Sequence, residues 1–300
     1  MELRRFLVII TIALVVALII SVWFFPSNED FRVENPFWNG TRDISASYPV
    51  MPLQSLSDLP SPPQEATLIL IPYLNCTPTE LEQLNRFVSR GGRLILADDY
   101  GHGNQILQYL GLRARFSRQT LLDPLTNYKS KQFPRIVNLE PGPLTSHSGN
   151  LVFNHATCLI NVATTDTLAF SSPFSFLDRN DSGVWEEGET TGPLPVISQH
   201  ELGSGQVILV SDPSLFINSM EAIEGNDSFI RNIADTTTSL YLDQSHLSPS
   251  ELHQTKNLLA QTRSLLATPP GTAGLLILAL IITLKPVWHK KKEDSQERRP

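Results

Sequence analysis

The sequence is poor in cysteine, methionine and basic side chains. Its 300 residues hold 2 Cys, 3 Met and 23 Lys plus Arg, set against 30 Asp plus Glu. Two cysteines, Cys76 and Cys158, are too few for a disulfide scaffold. With no CxxC pair they also exclude dithiol redox chemistry and cysteine-rich zinc sites. Two readings remain for them: buried thiols in strands, or one bridge, which a compartment outside the cytoplasm would permit. Neither follows a strand in a tight glycine turn, the usual setting of a reactive thiol. A net charge of −7 and a pI near 5.5 speak against a nucleic-acid partner. The GxGxxG, Walker and GxSxG patterns are missing. With them go the dinucleotide fingerprint, the P-loop and the α/β-hydrolase elbow.

Apolar sequence is abundant, at 41% of the chain, and unevenly spread. Phe6 to Phe25 is an uncharged run. About 20 residues at ~1.5 Å each cross a ~30 Å hydrocarbon layer. Ala273 to Trp288 is a shorter second run that crosses with the help of 267–272. Arg4 and Arg5 precede the first run, and the basic stretch His289 to Lys292 follows the second. Basic flanks stay in the cytoplasm. The expectation is a two-pass cell-membrane protein with both termini cytoplasmic. A cleaved signal peptide is the alternative for the first run. However, its apolar core exceeds the usual ~7–15 residues and no small-x-small site follows.

The domains then read as follows: a stub and anchor over 1–25, an extracytoplasmic domain over 26–246, a juxtamembrane helix over 247–268, a second span over 269–288, and a charged cytoplasmic tail over 289–300. From Pro26 to Pro270 there are 15 basic and 26 acidic residues, a balance of −11. That suits divalent cations and basic partners, or simply solubility. Glycosylation sequons stand at Asn39, Asn75, Asn180 and Asn226.

Inside the outer domain, 66–73 is a continuous apolar run bounded by turn signals, hence a buried strand. Thr77, Pro78 and Glu80 form a capping box at a helix start, and Leu81, Leu84, Phe87 and Val88 follow at helical spacing. Gly91 or Gly92 ends that helix, and 93–99 is a second buried strand, completing a βαβ unit. A short helix is expected over 104–110. Strands are expected in 135–140, 150–160 and 167–172, a hairpin around Gly203-Ser204-Gly205, and a helix after Asp212. Ser248, Pro249 and Glu251 repeat the capping pattern ahead of a Leu252, Leu258, Leu259, Leu265 and Leu266 stripe. That helix either packs on its own domain, or pairs with the first span or with a second copy, giving a homo-oligomer.

The most specific signal is "FLDRNDSGVWEEGE", Phe176 to Glu189, in which seven of fourteen residues are Asp, Asn, Ser or Glu. It fits the calcium loop D-x-[DN]-x-[DN]-G-x5-E with Ser at the third ligand position. Asp178, Asn180, Ser182, Val184 through its carbonyl, Glu186 and Glu189 fall at the ligand positions, and Gly183 at the sharp turn. Trp185 is expected to anchor the loop to the core. The flanks are not helical, so a single structural Ca²⁺ is expected rather than a paired sensor. A solvated acidic turn is the bland alternative, and a glycan on Asn180 would exclude metal there.

A second candidate is "ADDYGHGN", Ala97 to Asn104, at the carboxyl end of a parallel strand, where open α/β sheets bind ligands. Asp98, Asp99 and His102 make a ligand-binding or acid/base set, unless the aspartates only cap the turn. Asp212, before Pro213, reads as a helix cap.

"GGRLILADDYGHGNQILQYLGL", "LLDPLTNYKSKQFP" and "GSGQVILVSDPSLFIN" together resemble the archaeal membrane proteins of domain-of-unknown-function family 4350, over about 35–235. The resemblance implies an α/β fold: a flavodoxin-like, class I amidotransferase-like, mainly parallel sheet with an added hairpin, flanked by N- and C-terminal transmembrane helices. It also implies a setting near MoxR-type ATPases and a relation to transporter accessory proteins. It implies no activity, because the turn that holds the amidotransferase cysteine reads Asp99-Tyr100-Gly101 here. The expected function is a non-catalytic extracytoplasmic domain that binds a ligand or a protein partner in a membrane complex. The alternatives are a metal-dependent hydrolase using Asp98, Asp99 and His102, or an accessory subunit of a transport or assembly complex.

Overall fold

The computed structural model describes residues 2–63, 65–277 and 279–281. It divides into two compact units, Pro26–Ser248 and the two ends of the chain.

The first unit contains α1 (Glu2–Phe24) and α6 (Glu251–Ala267). Within α1, Phe6–Phe24 is 19 residues long with mean hydropathy 3.0 and nothing buried, so by length and composition it can cross a membrane. The cap of α6 is Ser250, whose Oγ accepts the His253 N–H at 3.1 Å. It lies two residues beyond the expected Ser248. No α6 residue is buried. Its neighbour is α1: the Arg263 guanidinium lies 5.9 Å from the Trp23 ring centre, and Lys256 Nζ donates to the Phe25 carbonyl. Of the expected second span and tail, 282–300 lie outside the described residues.

The second unit is built on an eight-stranded sheet. Its strands are β1 (Val50–Leu53), β2 (Ala66–Leu70), β3 (Arg93–Ala97), β4 (Asn138–Leu139), β5 (Thr167–Phe170), β6 (Pro195–Leu202), β7 (Gly205–Val210) and β8 (Ser239–Asp243). Their order is β1-β8-β2-β3-β7-β6-β5-β4. The first five are parallel to one another; β6, β5 and β4 extend the sheet antiparallel.

Period-two alternation sorts the strand side chains onto two cores. Leu68, Leu70, Leu94, Leu96, Val207 and Leu209 meet α3 (Pro78–Ser89) and α4 (Asn104–Tyr109). Ile69, Ile71, Ile95, Ile208, Leu240 and Leu242 share a core with Ile44 of α2 (Arg42–Ser47), with α5 (Asn226–Asp235) and with the irregular insert that follows α4. Covering both faces explains why β2 and β3 read as unbroken apolar runs. Each fully buried Leu or Ile contributes roughly 1.5–3 kcal/mol by leaving water.

The α3 cap forms as read: Thr77 Oγ1 accepts the Glu80 N–H at 3.4 Å, and Glu80 Oε2 accepts the Thr77 N–H at 2.7 Å. The β6–β7 hairpin also forms, around Gly203 and Ser204. Its tip lies so close to the end of α3 that a Cβ on Gly205 would sit 2.3 Å from the Val88 carbonyl oxygen.

Several expectations are corrected. Asp212 does cap, accepting the Ser214 N–H at 2.8 Å, but only a short 3-10 turn follows, Pro213–Phe216. The strands expected in 135–160 shrink to two-residue pieces, one interruption falling at His155 with φ 54°. The cysteines are both free, buried thiols and neither lies in a strand: Cys76 precedes the α3 cap, and Cys158 precedes the short strand Leu159–Ile160. Cys76 belongs to the α3 core and Cys158 to the α5 core, on opposite faces of the sheet, so no bridge joins them.

Candidate functional site

The carboxyl ends of the parallel strands gather the candidate residues. Asp98 follows β3 directly and is buried. Its Oδ1 accepts the N–H of Tyr100 and of Gly101, both at 3.0 Å, and its Oδ2 accepts the N–H of Gly103 at 2.7 Å. Burial pushes this carboxyl above its ordinary range, and the three donors pull it back part of the way. Asp98 therefore builds the turn. Gly101 supplies the left-handed φ of 82° that the turn needs.

Asp99 is different. It is half-buried, and its carboxyl is pushed up to about 7, first by burial and then by the charge of Asp98. It acts on three neighbours. Tyr73 is raised by burial and then by Asp99; Tyr100 by Asp99 and then by burial. Asp212, fully buried, is raised by burial, with Asp99 adding to it against the N–H groups of Asn154 and Ser214. His102 is exposed, its ring 6.2 Å from that of Tyr100. Tyr100 lies 6.3 Å from Tyr73, and Tyr73 lies 5.8 Å from Phe31. The sequence-derived set of Asp98, Asp99 and His102 is thus adjacent but not convergent. The charge of Asp99 is felt instead at Tyr73, Tyr100 and Asp212. Tyr73 was missed because it lies past β2 in the chain, and only the parallel pairing of β2 and β3 brings it there.

The acidic loop is a second, separate place. A short ribbon pairs Phe176–Asp178 with Thr120–Leu122, and a bridge from Phe176 to Thr191 closes the base. Asp178 Oδ1 accepts the Ser182 N–H at 3.1 Å and Oδ2 the Gly183 N–H at 2.7 Å. Glu189 Oε1 accepts the Arg179 N–H and Oε2 the Glu186 N–H, both at 3.0 Å. Both carboxylates are buried, so the two ends of the ligand series face inward over a turn made by Gly183 at φ 74°.

The middle of the loop is closed on itself. Asn180 Nδ2 donates to both Glu186 oxygens at 3.2 Å, and Ser182 Oγ donates to the Val184 carbonyl at 3.0 Å. Lys131 Nζ donates to the Gly183 carbonyl. Among the described residues no three His, Cys, Asp or Glu groups converge as a metal site. The donor types suit Ca²⁺, but Asn180, Ser182 and Val184 would have to exchange these bonds for the ion. Trp185 does not anchor the loop: it is 55% exposed, and the anchors are Phe176 and Leu177.

The sequons divide by the same geometry. Asn226 is fully buried, bonded to the Val152 and Met220 carbonyls, and closed to a glycan in the folded domain. Asn75 and Asn180 are exposed.

These features define an α/β domain with a large, mostly parallel sheet. The chain belongs to the DUF4350 family, a domain of unknown function, whose family model matches residues 40–234. No curated protein matches it. Solved structures are similar only loosely. The N-terminal domain of mmIFT52 has a TM-score of 0.43 at 13% identity, covering 63% of this chain and 83% of that one. A β-galactosidase from Bacillus circulans sp. alkalophilus has 0.33 at 14%, covering 54% and 22%. A putative ThuA-like protein from Bacteroides uniformis has 0.32 at 12%, covering 61% and 74%. Likenesses this loose carry no functional argument.

Proposed function

We propose that the chain is a membrane-anchored binding domain that performs no chemistry at its sheet edge. In this reading it is an archaeal two-pass protein with both termini in the cytoplasm, and its outer domain derives from an amidotransferase-like fold without the catalytic cysteine. The observation that carries the reading is the turn after β3. Asp98 is held by three backbone N–H groups, and Asp99-Tyr100-Gly101 has no cysteine. What remains available is Asp99 beside the rings of Tyr73, Tyr100 and His102. A carboxylate next to aromatic faces suits a cationic group. The acidic balance of the domain supports a basic partner protein in a membrane complex, and α6 supplies a surface for a second copy or an accessory role in transport.

The test is calorimetric titration of the full chain in nanodiscs with a lysine-rich peptide. Binding is expected to weaken about tenfold, roughly 1.4 kcal/mol, in Asp99→Asn/Tyr100→Ala. Unchanged binding removes this face from the proposal. Metal-dependent ester hydrolysis lost in Asp99→Ala would move the reading to the hydrolase.

Ca²⁺ is the proposed structural ion of the 178–189 loop, held by Asp178, Asn180, Ser182, Val184, Glu186 and Glu189. Isolated extracellular calcium loops bind at ~10⁻⁴–10⁻³ M. About 10 mM Ca²⁺ is then expected to stabilise the domain by roughly 1–3 kcal/mol. Thermal melts with Ca²⁺ and with EDTA check this. Coincident melts, or the same rise in Asp178→Ala/Glu189→Ala, would leave a solvated turn.

A further inference from the structure

A groove of about 210 Å³ lies between α3 and the loop that leads from β1 to β2. One wall is a stripe of α3 ending at its cap: Gln83, Arg86, Phe87 and Arg90, which share a face over about two helical turns. The facing wall is Leu56, Leu59, Pro60 and Pro63 of the loop.

The loop is tied down at both ends. Ser55 caps a 3-10 turn over Leu56–Asp58, its Oγ accepting the Ser57 N–H at 3.2 Å. The Pro63 carbonyl accepts the Ala66 N–H at 3.0 Å and so joins the loop to β2. Leu56 and Phe87, 1% and 4% exposed, belong to one core with Leu84 and Val88, and Leu59 packs against it. The walls are therefore part of the folded domain.

The buried side chains of the groove are apolar, and both of its charges are positive and exposed. Among the described residues no Asp or Glu lines it, although acidic residues outnumber basic ones by 26 to 15 between Pro26 and Pro270. A cationic ligand has no counter-charge in its lining. Arg86 and Arg90 stand four residues apart on the helix, where like charges repel, and an anion between them is attracted to both. Arg86 has a partner in Glu82 at 2.6 Å, but the two side chains are 54% and 60% exposed. Exposed pairs of this kind are weak, so an incoming carboxylate can take the place of Glu82. The volume lies below the ~300–1,000 Å³ of pockets for drug-sized ligands. That limits the apolar part of a ligand to one short chain or one ring.

We propose that this groove binds a short apolar monocarboxylate. The apolar group lies against Leu56, Leu59, Pro60 and Phe87. The carboxylate accepts charge-assisted hydrogen bonds from the Arg86 and Arg90 guanidinium groups, whose planar forks suit it. The site shares no residue with the turn after β3 or with the 178–189 loop, so it stands or falls apart from both.

The experiment photolabels the full chain in nanodiscs with a diazirine-bearing pentanoic acid and maps the label by mass spectrometry. Saturable labelling is expected within 56–63 and 83–90, the two walls of the groove. Hexanoate is expected to compete, and hexanamide, of the same shape without the charge, to fail at the same concentration. Arg86→Gln/Arg90→Gln is expected to raise the concentration for half-maximal labelling at least about tenfold. A rise from ~50 to ~500 mM salt is expected to weaken labelling as well, because the charges are exposed. In the unmodified protein, equal competition by hexanamide, labelling that does not saturate, or labelling only outside the two walls would overturn the proposal. Tighter competition by a tripeptide ending in leucine would overturn the assignment to a free acid and make the occupant the carboxyl end of a peptide.

Discussion

Asp98 and Asp99 are neighbours in sequence with opposite roles. Asp98 is buried with its oxygens filled by N–H donors, so Asp98→Ala leaves three donors without an acceptor. Unpaired buried donors cost about 1–3 kcal/mol each before relaxation, and a loss of about 3 kcal/mol in urea unfolding is expected. At Asp99 the N–H groups of Asp99 and Tyr100 oppose burial and the Asp98 charge but do not outweigh them. Its folded carboxyl sits at about 7, above the ordinary ~3.9 of an unfolded Asp. Between those values the folded state holds the extra proton, so its contribution is fully present below about pH 4 and is lost as pH rises through 7. Asp99→Asn is therefore expected to flatten the fall in melting temperature between pH 4 and 7. An unaltered slope would show that Asp99 titrates like an exposed side chain. From sequence the two looked like one acid pair, because the difference lies in the backbone path of Tyr100–Gly103.

Element by element, legibility tracked how much of the signal was local. The α3 cap, its apolar stripe and β2 and β3 are written within a few residues of one another, and they form as read. Thr77→Ala should cost about 1 kcal/mol, which lowers the melting temperature of a domain this size by about 2–4 °C; no shift would mean that the Glu80 carboxylate alone holds the turn. The elements that escaped the reading depend on distant partners. Strand β1 contains Pro52 and sits at the sheet edge, where the missing N–H is tolerated. Strand β8 emerges from a polar Thr run and forms because β1 and β2 flank it. Helix α5 has no side-chain cap and is held by Phe229, Ile230 and Ile233 in the core. The acidic loop was legible as a pattern, but its exposed Trp185 and its internal Asn180–Glu186 bonds were not.

At the scale of the whole molecule, both buried cores belong to one of the two units. Every residue of the two buried cores lies between Phe31 and Leu247, inside the Pro26–Ser248 unit. The Phe6–Phe24 stretch of α1 has nothing buried, and α6 adds no buried residue. Removing both should leave the hydrophobic driving force for folding untouched, since that force follows the area taken from water. A fragment of residues 26–248 is expected to be monomeric in water, to unfold in one cooperative transition, and to melt within a few degrees of the full chain in nanodiscs. Scanning calorimetry of the two side by side decides it. A fragment that binds a hydrophobic dye and melts broadly would mean that residues outside 26–248 are needed to complete the core.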